Sequence, residues 1–413
     1  MKTVKDGFKN TELGLIPNEW DIKKAGEVFE NVALKGYPKE PILAVTQDRG
    51  TMYRDECGID IKTSDKSIES YKLVEKGNFI ISLRSFQGGL EYSGIRGIVS
   101  PAYTILNNKI NIHSNYYKYL FKSKKFIDSL SSSVIGIRDG KQISYNVFKN
   151  LPLYYPPLQE QQKIADILST VDEQIDNVDQ LIEKTKELKK GLMQQLLTKG
   201  IGNTEFKETE IGIIPKEWEV KLIREVANTT SGGTPSRKNK EYYLNGNIPW
   251  LKTGELSNKY IYDTEEKITQ EAVRNSSAKI VPVNAVIIAM YGATIGKLSI
   301  NKTEVTTNQA CCSIICNEEK VNYEYLYYTL EFNKDKLIEL GAGGAQPNIS
   351  QEIIKNFKVF IPTREEQEKI VNVLYTIDEK LQSYYKKKEI ITELKKGLMQ
   401  QLLTGKIRVT TDK

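Results

Sequence analysis

Four places in this 413-residue chain combine residue types that could do chemistry. Gly292-Ala-Thr-Ile-Gly296-Lys297 has the glycines and lysine of a loop that cradles phosphates on backbone N–H groups. Such a loop needs one more residue between its glycines and a Ser or Thr after the lysine. Here Leu298 follows, so the stretch is expected to be a β-hairpin turn. Tyr155-Pro156-Pro157-Leu158 is the nearest string to the tetrad with which an amino-methyltransferase holds its target amino group. It lacks the polar first residue and the aromatic last one, and prolines are at ease just before a helix. Asp21-Ile22-Lys23 and Glu219-Val220-Lys221 have the acid-x-Lys form of metal-dependent nucleases. In a chain with 27% charged residues such triplets arise by chance, and no upstream Pro-Asp accompanies them. Cys311, Cys312 and Cys316 lie in CCSIIC, an apolar run that predicts a buried strand with free thiols. A zinc site needs four ligands; Cys57 is distant, and His113 is the only histidine. A single histidine also removes His-based general-base and triad mechanisms. No complete active site, metal site or cofactor site is expected in this chain.

What remains is a set of binding residues. Basic, amide and aromatic side chains interleave in turn-like segments. The first part of the chain has Lys35, Tyr37, Gln47, Arg49, Tyr53, Arg54, Arg84, Phe86 and Gln87. The second has Ser236, Arg237, Lys238, Lys240, Tyr242, Tyr243, Lys252, Tyr291 and Lys297. Lys and Arg neutralise phosphates, and Arg, Gln and Asn can read base edges in the major groove. Any one of them could equally be a solvated surface charge. The net charge of +6 is compatible with a nucleic-acid partner, though weak evidence when spread over this length.

These residues need elements to position them, and an internal repeat supplies those elements. The string ELKKGLMQQLLT occurs at 187–198 and again, unchanged, at 393–404. Each copy closes a stretch of roughly 40 residues with helical spacing. In the first, Ile164, Leu168, Val171, Ile175, Val178 and Ile182 step by four and three, the seam of a coiled coil. In the second, Ile370, Leu374, Ile377, Leu381 and Tyr384 hold the same places. The apolar pattern then moves to Leu188, Leu192 and Leu196, with Leu394, Leu398 and Leu402 as equivalents, which predicts a stutter that locally relaxes the supercoil. Two equal seams in one chain are expected to pack on each other as antiparallel rods about 60 Å long, at ~1.5 Å per residue.

A second repeat opens each half. TELGLIPNEWDIKKAGEV at 11–28 matches TEIGIIPKEWEVKLIREV at 209–226, with Trp20 and Trp218 as anchors for a small core. Each is expected to be the entry strand of a globular unit. The intervening parts, 29–150 and 227–356, are unlike each other and rich in Gly, Asn, Tyr and Thr. Strands are expected at 78–83, 283–289 and 359–361, and helices at 115–126 and 323–330. The tail GKIRVTTDK and the head MKTVKDGFKN together resemble the linker KGIGNTEFKE at 199–208, so the order of parts is nearly circular. Antiparallel rods would then place the two globular units at opposite ends, about a pseudo-twofold axis.

The chain resembles the specificity subunit of type I restriction–modification enzymes. The likeness rests on Gly14–Trp20 and Gly212–Trp218, GGTPSRKNKEYYLNGNIPW at 232–250, QPNIS at 346–350, the helix starts PPLQEQQKIADIL (156–168) and PTREEQEKIVNVL (362–374), and the twin helix ends. The first half departs from it, with ALKGYPKE and GKQIS where the second has GGTPSRKN and QPNIS. The resemblance implies an α+β fold: two mixed α/β target-recognition domains separated by two long antiparallel coiled-coil helices, with a pseudo-twofold internal repeat. The boundaries would be a first domain at 1–155, a spacer helix at 156–199, a linker at 200–208, a second domain at 209–361, a second helix at 362–405 and a tail at 406–413. It implies that each domain reads one half of a bipartite site in double-stranded DNA and that the helices set the gap. The rods bound that gap below roughly 18 base pairs at ~3.4 Å each, with about one helical turn expected. It also implies two modification subunits docked on the repeated helix faces, and restriction (motor) subunits for cleavage. S-adenosylmethionine, ATP and Mg would reside in those partners, not in this chain. Two other readings stay open: a self-sufficient methyltransferase or nuclease with a cryptic site, and a coiled-coil scaffold with no DNA role. No apolar run reaches the ~18 residues of a membrane span, and the first residues lack an apolar signal region. The cytoplasm is therefore the expected location, with no membrane partner.

Overall fold

A computed structural model describes residues 6–47, 49–57, 68–134, 143–342 and 347–410. The chain divides into two compact units: Met1–Gln180 with Lys386–Lys413, and Leu181–Tyr385. The long helices, Leu158–Leu196 and Arg364–Leu402, are 39 residues each, and both are divided between the units. Each unit therefore holds one globular part, called a reader after its expected role, the start of the helix that follows it, and the end of the other helix.

The repeated entry segment is a hairpin followed by a strand, where a single strand was expected. Phe8–Thr11 pairs with Gly14–Pro17, and Phe206–Thr209 with Gly212–Pro215. The turn is TELG in one and TEIG in the other. Its glycine has a positive φ, +92° at Gly14 and +135° at Gly212, a backbone state that side chains with a Cβ rarely adopt. The threonine hydroxyl closes each turn by donating to that glycine's carbonyl, at 2.7 and 2.6 Å. The next strand, Asp21–Lys24, pairs with the exit strand Pro152–Tyr155, and Glu219–Leu222 pairs with Lys358–Ile361. Entry and exit of each reader are thus tied together just before its long helix. The two acid-x-Lys triplets are these entry strands, and their acids pair with Lys9 at 3.6 Å and Lys221 at 3.0 Å.

Each entry tryptophan is fully buried and donates its indole N–H to a glutamate in the first turn of the long helix. Trp20 reaches Glu160, and Trp218 reaches Glu366, both at 2.8 Å. Two residues, one donor and one acid, thereby fix the angle between reader and helix, and the acid also suits the positive end of the helix dipole. The next residue repeats the pattern. Gln161 donates to Pro156 O and accepts from His113 N; Gln367 donates to Pro362 O and accepts from Asn322 N. The segment after each helix folds back to the same glutamates. Ile201 N and Asn203 donate to Glu366, and Arg408 pairs with Glu160 and Glu19. The near-circular order of parts is thus reproduced as equivalent closures inside each unit.

The reader sheets share three antiparallel strands. In the first unit these are Phe29–Val32, Thr104–Asn108 and Phe79–Ile81, with Glu91–Tyr92 at the edge. In the second they are Ala227–Ser231, Cys311–Cys316 and Val286–Ala289, extended by Leu298–Asn301 and, in parallel, Tyr260–Ile261. CCSIIC is the buried strand expected. Its thiols are free, and burial pushes all three up to about 12. GATIGK lies in the turn joining the antiparallel strands Val286–Ala289 and Leu298–Asn301, as a hairpin and not a phosphate loop. The helix expected at 115–126 is broken into Ser114–Leu120 and Lys124–Val134, whereas Tyr323–Phe332 is continuous.

The helix seam departs from the sequence expectation at one point. Ile164, Leu168, Val178 and Ile182 are buried, and Val171 and Ile175 half-buried; Ile370, Leu374 and Leu381 are buried, and Ile377 and Tyr384 half-buried. The expected stutter is absent. Leu188 is 52% exposed and Leu394 53% exposed. The four–three spacing instead runs on through Thr185, Lys189, Leu192 and Leu196, and through Lys388, Ile391, Lys395, Leu398 and Leu402. Apolar spacing followed the leucines because the true seam carries polar residues there. Thr185 is tolerated because its hydroxyl donates to Leu181 O, and the lysines because they are paired with acids.

Candidate nucleic-acid interface

In the first unit the hairpin Leu43–Thr46/Gly50–Tyr53 carries Gln47 and Arg49 at its tip and Tyr53 and Arg54 at its base. The tip leans on the short helix Ser85–Gly88. Gln47 donates to the carbonyl of Arg84 at 3.2 Å, and Gly88 leaves room for it: a Cβ there would lie 3.0 Å from the Gln47 side chain. Lys122 fastens the ledge from beneath. Its ammonium donates to Gln47 O at 2.9 Å, Gly88 O at 3.0 Å and the buried Glu91 at 2.6 Å. Gln47, Arg84 and Gln87 are thereby brought together with their side chains exposed. Lys35 and Tyr37 lie on a different segment. Lys35 faces Lys72, whose pKa is lowered by burial and then by that neighbouring charge.

In the second unit GGTPSRKN is a tightly seated loop. Cβ atoms on Gly232 or Gly233 would collide with Thr307 and Ser277. Trp250 donates its indole N–H to Gly233 O at 3.0 Å, and Tyr243 donates its hydroxyl to Pro235 O at 2.6 Å. Arg237 stacks over both rings, 4.4 Å from Tyr243 and 4.9 Å from Trp250, and pairs with Glu266 at 2.6 Å. The other oxygen of Glu266 takes Lys252 at 2.9 Å. The Arg237 and Lys252 contacts hold the Glu266 carboxyl below its ordinary value, and the Glu266 contact raises the pKa of Arg237. Tyr242 packs beside Trp250, while Ser236, Lys238 and Lys240 remain exposed on the same loop.

Tyr291 and Lys297 sit apart from this loop, on the turn at 290–297, where Tyr291 bridges Asn348. Of the paired strings GKQIS and QPNIS, residues 140–142 and Gln346 lie outside the described residues. The serines that end them, Ser144 and Ser350, are equivalent helix N-caps, accepting from Val147 N and Ile353 N.

Sequence reasoning missed Lys122, Glu91 and Glu266. Each is remote in sequence from the residue it holds, and no local pattern marks it. Among the described residues, no group of three or more His, Cys, Asp or Glu is placed to hold a metal ion, and no helix is long and apolar enough to cross a membrane.

The structure thus defines a duplicated frame that presents two differently built polar, cationic and aromatic surfaces. A family model described as the type I restriction modification DNA specificity domain matches twice, at residues 17–187 and 215–395. The chain belongs to that family, the specificity subunits of type I restriction–modification systems, which recognise the DNA target. The type I restriction enzyme MjaVIII specificity subunit of Methanocaldococcus jannaschii is 29% identical over 423 residues, covering 98% of this chain and 96% of the relative. The HindI specificity subunit of Haemophilus influenzae is 23% identical, covering 94% of this chain and 100% of the relative. Among solved structures, the type I restriction–modification S subunit from M. genitalium has a TM-score of 0.56 at 15% identity, covering 93% of this chain and 96% of that one. A chain from work on complex assembly and conformational transition of the type I R-M system has a TM-score of 0.61 at 14% identity, covering 95% of this chain and 99% of that one. At these identities the likeness is one of fold.

Proposed function

We propose that each reader recognises one half of a bipartite site in double-stranded DNA, and that the paired helices set the gap between the halves. The observation that carries this is the pairing of sameness and difference. The frame contacts recur residue for residue, Trp20–Glu160 with Trp218–Glu366 and Gln161 with Gln367, whereas the outward surfaces differ. A frame built twice presents equal faces twice, which favours docking of two copies of a modification subunit, with restriction subunits joining for cleavage.

The first unit offers the Gln47–Arg84–Gln87 ledge to base edges, with Arg49 and Arg54 on the same hairpin and Lys35 and Tyr37 on a separate segment as further DNA contacts. The second offers Arg237 and Lys252 joined through Glu266, with Ser236, Lys238, Lys240 and Tyr242 on the same loop, and Tyr291 and Lys297 on a separate turn. Stacking on Tyr243 and Trp250 together with the Glu266 ion pair orients the Arg237 guanidinium, a preorganisation that favours bidentate recognition of a guanine. The chain itself is non-catalytic and acts in the cytoplasm. S-adenosylmethionine, ATP and Mg are bound by its partner subunits.

Modified-base sequencing of a host carrying this chain with its modification subunit tests the reading. The expected motif has two unlike halves and a fixed gap, and no modification occurs with either protein alone. A contiguous motif, or modification by this chain alone, overturns it.

A further inference from the structure

The two lysines on the seam belong to a contact that is built twice. Lys189 and Lys395 are the same residue of the repeated ELKKGLMQQLLT, and Asp172 and Asp378 are the same residue of TVDEQ and TIDEK. In the first unit Lys395 pairs with Asp172, with 27% and 28% of the side chains exposed. In the second Lys189 pairs with Asp378 at 2.9 Å, with 16% and 20% exposed. A tyrosine of each reader joins in. Tyr119 donates its hydroxyl to Asp172 at 2.8 Å, and Tyr328 donates to Asp378 at 2.7 Å. Each lysine also lies over the ring of its tyrosine, 5.6 Å from the centroid in both units. Burial pushes both phenols up in pKa, ahead of the effect of the aspartates, so they remain hydrogen-bond donors. Burial also acts against the charge of Lys189, but Glu331 and Asp378 outweigh it and the net shift is upward.

We propose that the knots Tyr119–Asp172–Lys395 and Tyr328–Asp378–Lys189 are positioning residues that fix the register of the paired helices, and with it the gap accepted between half-sites. This rests on the reading of the helices as the spacer.

A charged residue on a coiled-coil seam costs stability relative to leucine, and its best-attested use is to select one register. The pairing here has that property. In both units the residue numbers of each acid–lysine pair add to the same total, as they also do for Asp179–Lys388, paired at 2.6 Å. A slip of ~7 residues, one heptad, would set Asp378 against Ile182 or Leu196 and Lys189 against Val371 or Tyr385. Asp172 would face Leu402 or Lys388. Either slip leaves Lys189 and Asp378 without each other. An all-leucine seam would carry no such penalty. Tyr119 and Tyr328 bind the same carboxylates from the reader side, so each aspartate is held in place to meet the lysine of the other helix.

The test is the distribution of gap lengths among modified sites in a host carrying the chain with its modification subunit. Lys189→Met with Lys395→Met keeps volume and apolar packing while removing both charges. The expected result is the same two half-site sequences with gaps differing by one base pair or more, about tenfold above the wild-type background, the scale of one lost coupled pair. Lys189→Arg with Lys395→Arg should return the single gap. If the Met pair folds, modifies DNA and keeps one gap, the knots do not set register. If it fails to assemble, Tyr119→Phe with Tyr328→Phe, which removes only two hydroxyls, is read instead. Broadened gaps there support the proposal, and a single gap overturns it. Inserting a heptad at equivalent points of both helices separates the two levels. An unchanged gap overturns the spacer reading and this proposal with it. A longer gap, alongside a single gap in the Met pair, overturns the knots alone.

Discussion

The two units use one frame to hold two different interiors. In the first, Phe29 is the hub of an aromatic core, with Phe79, Tyr117, Phe121 and Phe148 all within 6.2 Å of its ring centroid. In the second, Ala227 stands where Phe29 does, and the sheet packs through Val286, Ile288, Ile300 and Ile314 against Tyr325 and Tyr328. The knots differ too. Asp172 meets Tyr119, Ser169's neighbour, and Lys395, whereas Asp378 has Lys189 and, at 3.8 Å, Lys259, whose own pKa is lowered by burial. What stays constant are the points where reader, helix start and helix end meet: Trp with Glu, Gln with the preceding proline carbonyl, Tyr with Asp with Lys. Two unlike interiors thus share the same three junctions.

Four measurements test how far the two units are equivalent. The largest effect is expected from exchanging residues 29–150 for the equivalent stretch of a relative. One half-site should be replaced outright in modified-base sequencing while the other persists; a change in both would show that the readers are not independent. Next, Trp20→Ala and Trp218→Ala should each cost about 3–5 kcal/mol in denaturant unfolding, as for other buried tryptophans. The two costs should agree within about 1 kcal/mol, because each indole fills an equivalent site and bonds an equivalent glutamate. A large inequality would mean that the frames are alike in shape but not in energy. Third, Asp378→Asn should cost more than Asp172→Asn, each within about 1–3 kcal/mol, since Asp378 answers two lysines and Asp172 one. Thermal unfolding of the two variants gives the order directly. The smallest effect belongs to Leu188→Ala and Leu394→Ala, within about 0.5 kcal/mol each. Ile182→Ala, on the buried seam, should lose about 2–5 kcal/mol. Equal losses for leucine and isoleucine would restore the stutter that the structure removes.

The one-dimensional pattern sufficed for the plan of this protein: two repeats, two long helices with matching seams, and dissimilar readers. Those features are periodic or duplicated, and periodicity survives in one dimension. It also suggested candidate residues for both surfaces, since basic and aromatic side chains in turns are visible as composition. Which of them are brought into contact depends on the folded chain. Gln47 joins Arg84 through a hairpin tip and the absence of a Cβ at Gly88, and Arg237 joins Lys252 through Glu266. The seam shows the same limit in reverse. Apolar spacing pointed to Leu188, but Lys189 occupies the buried position because Asp378 and Glu331 neutralise it there. A charge is expelled from a core or welcomed into one according to its partner, and partners distant along the chain are chosen only by the fold.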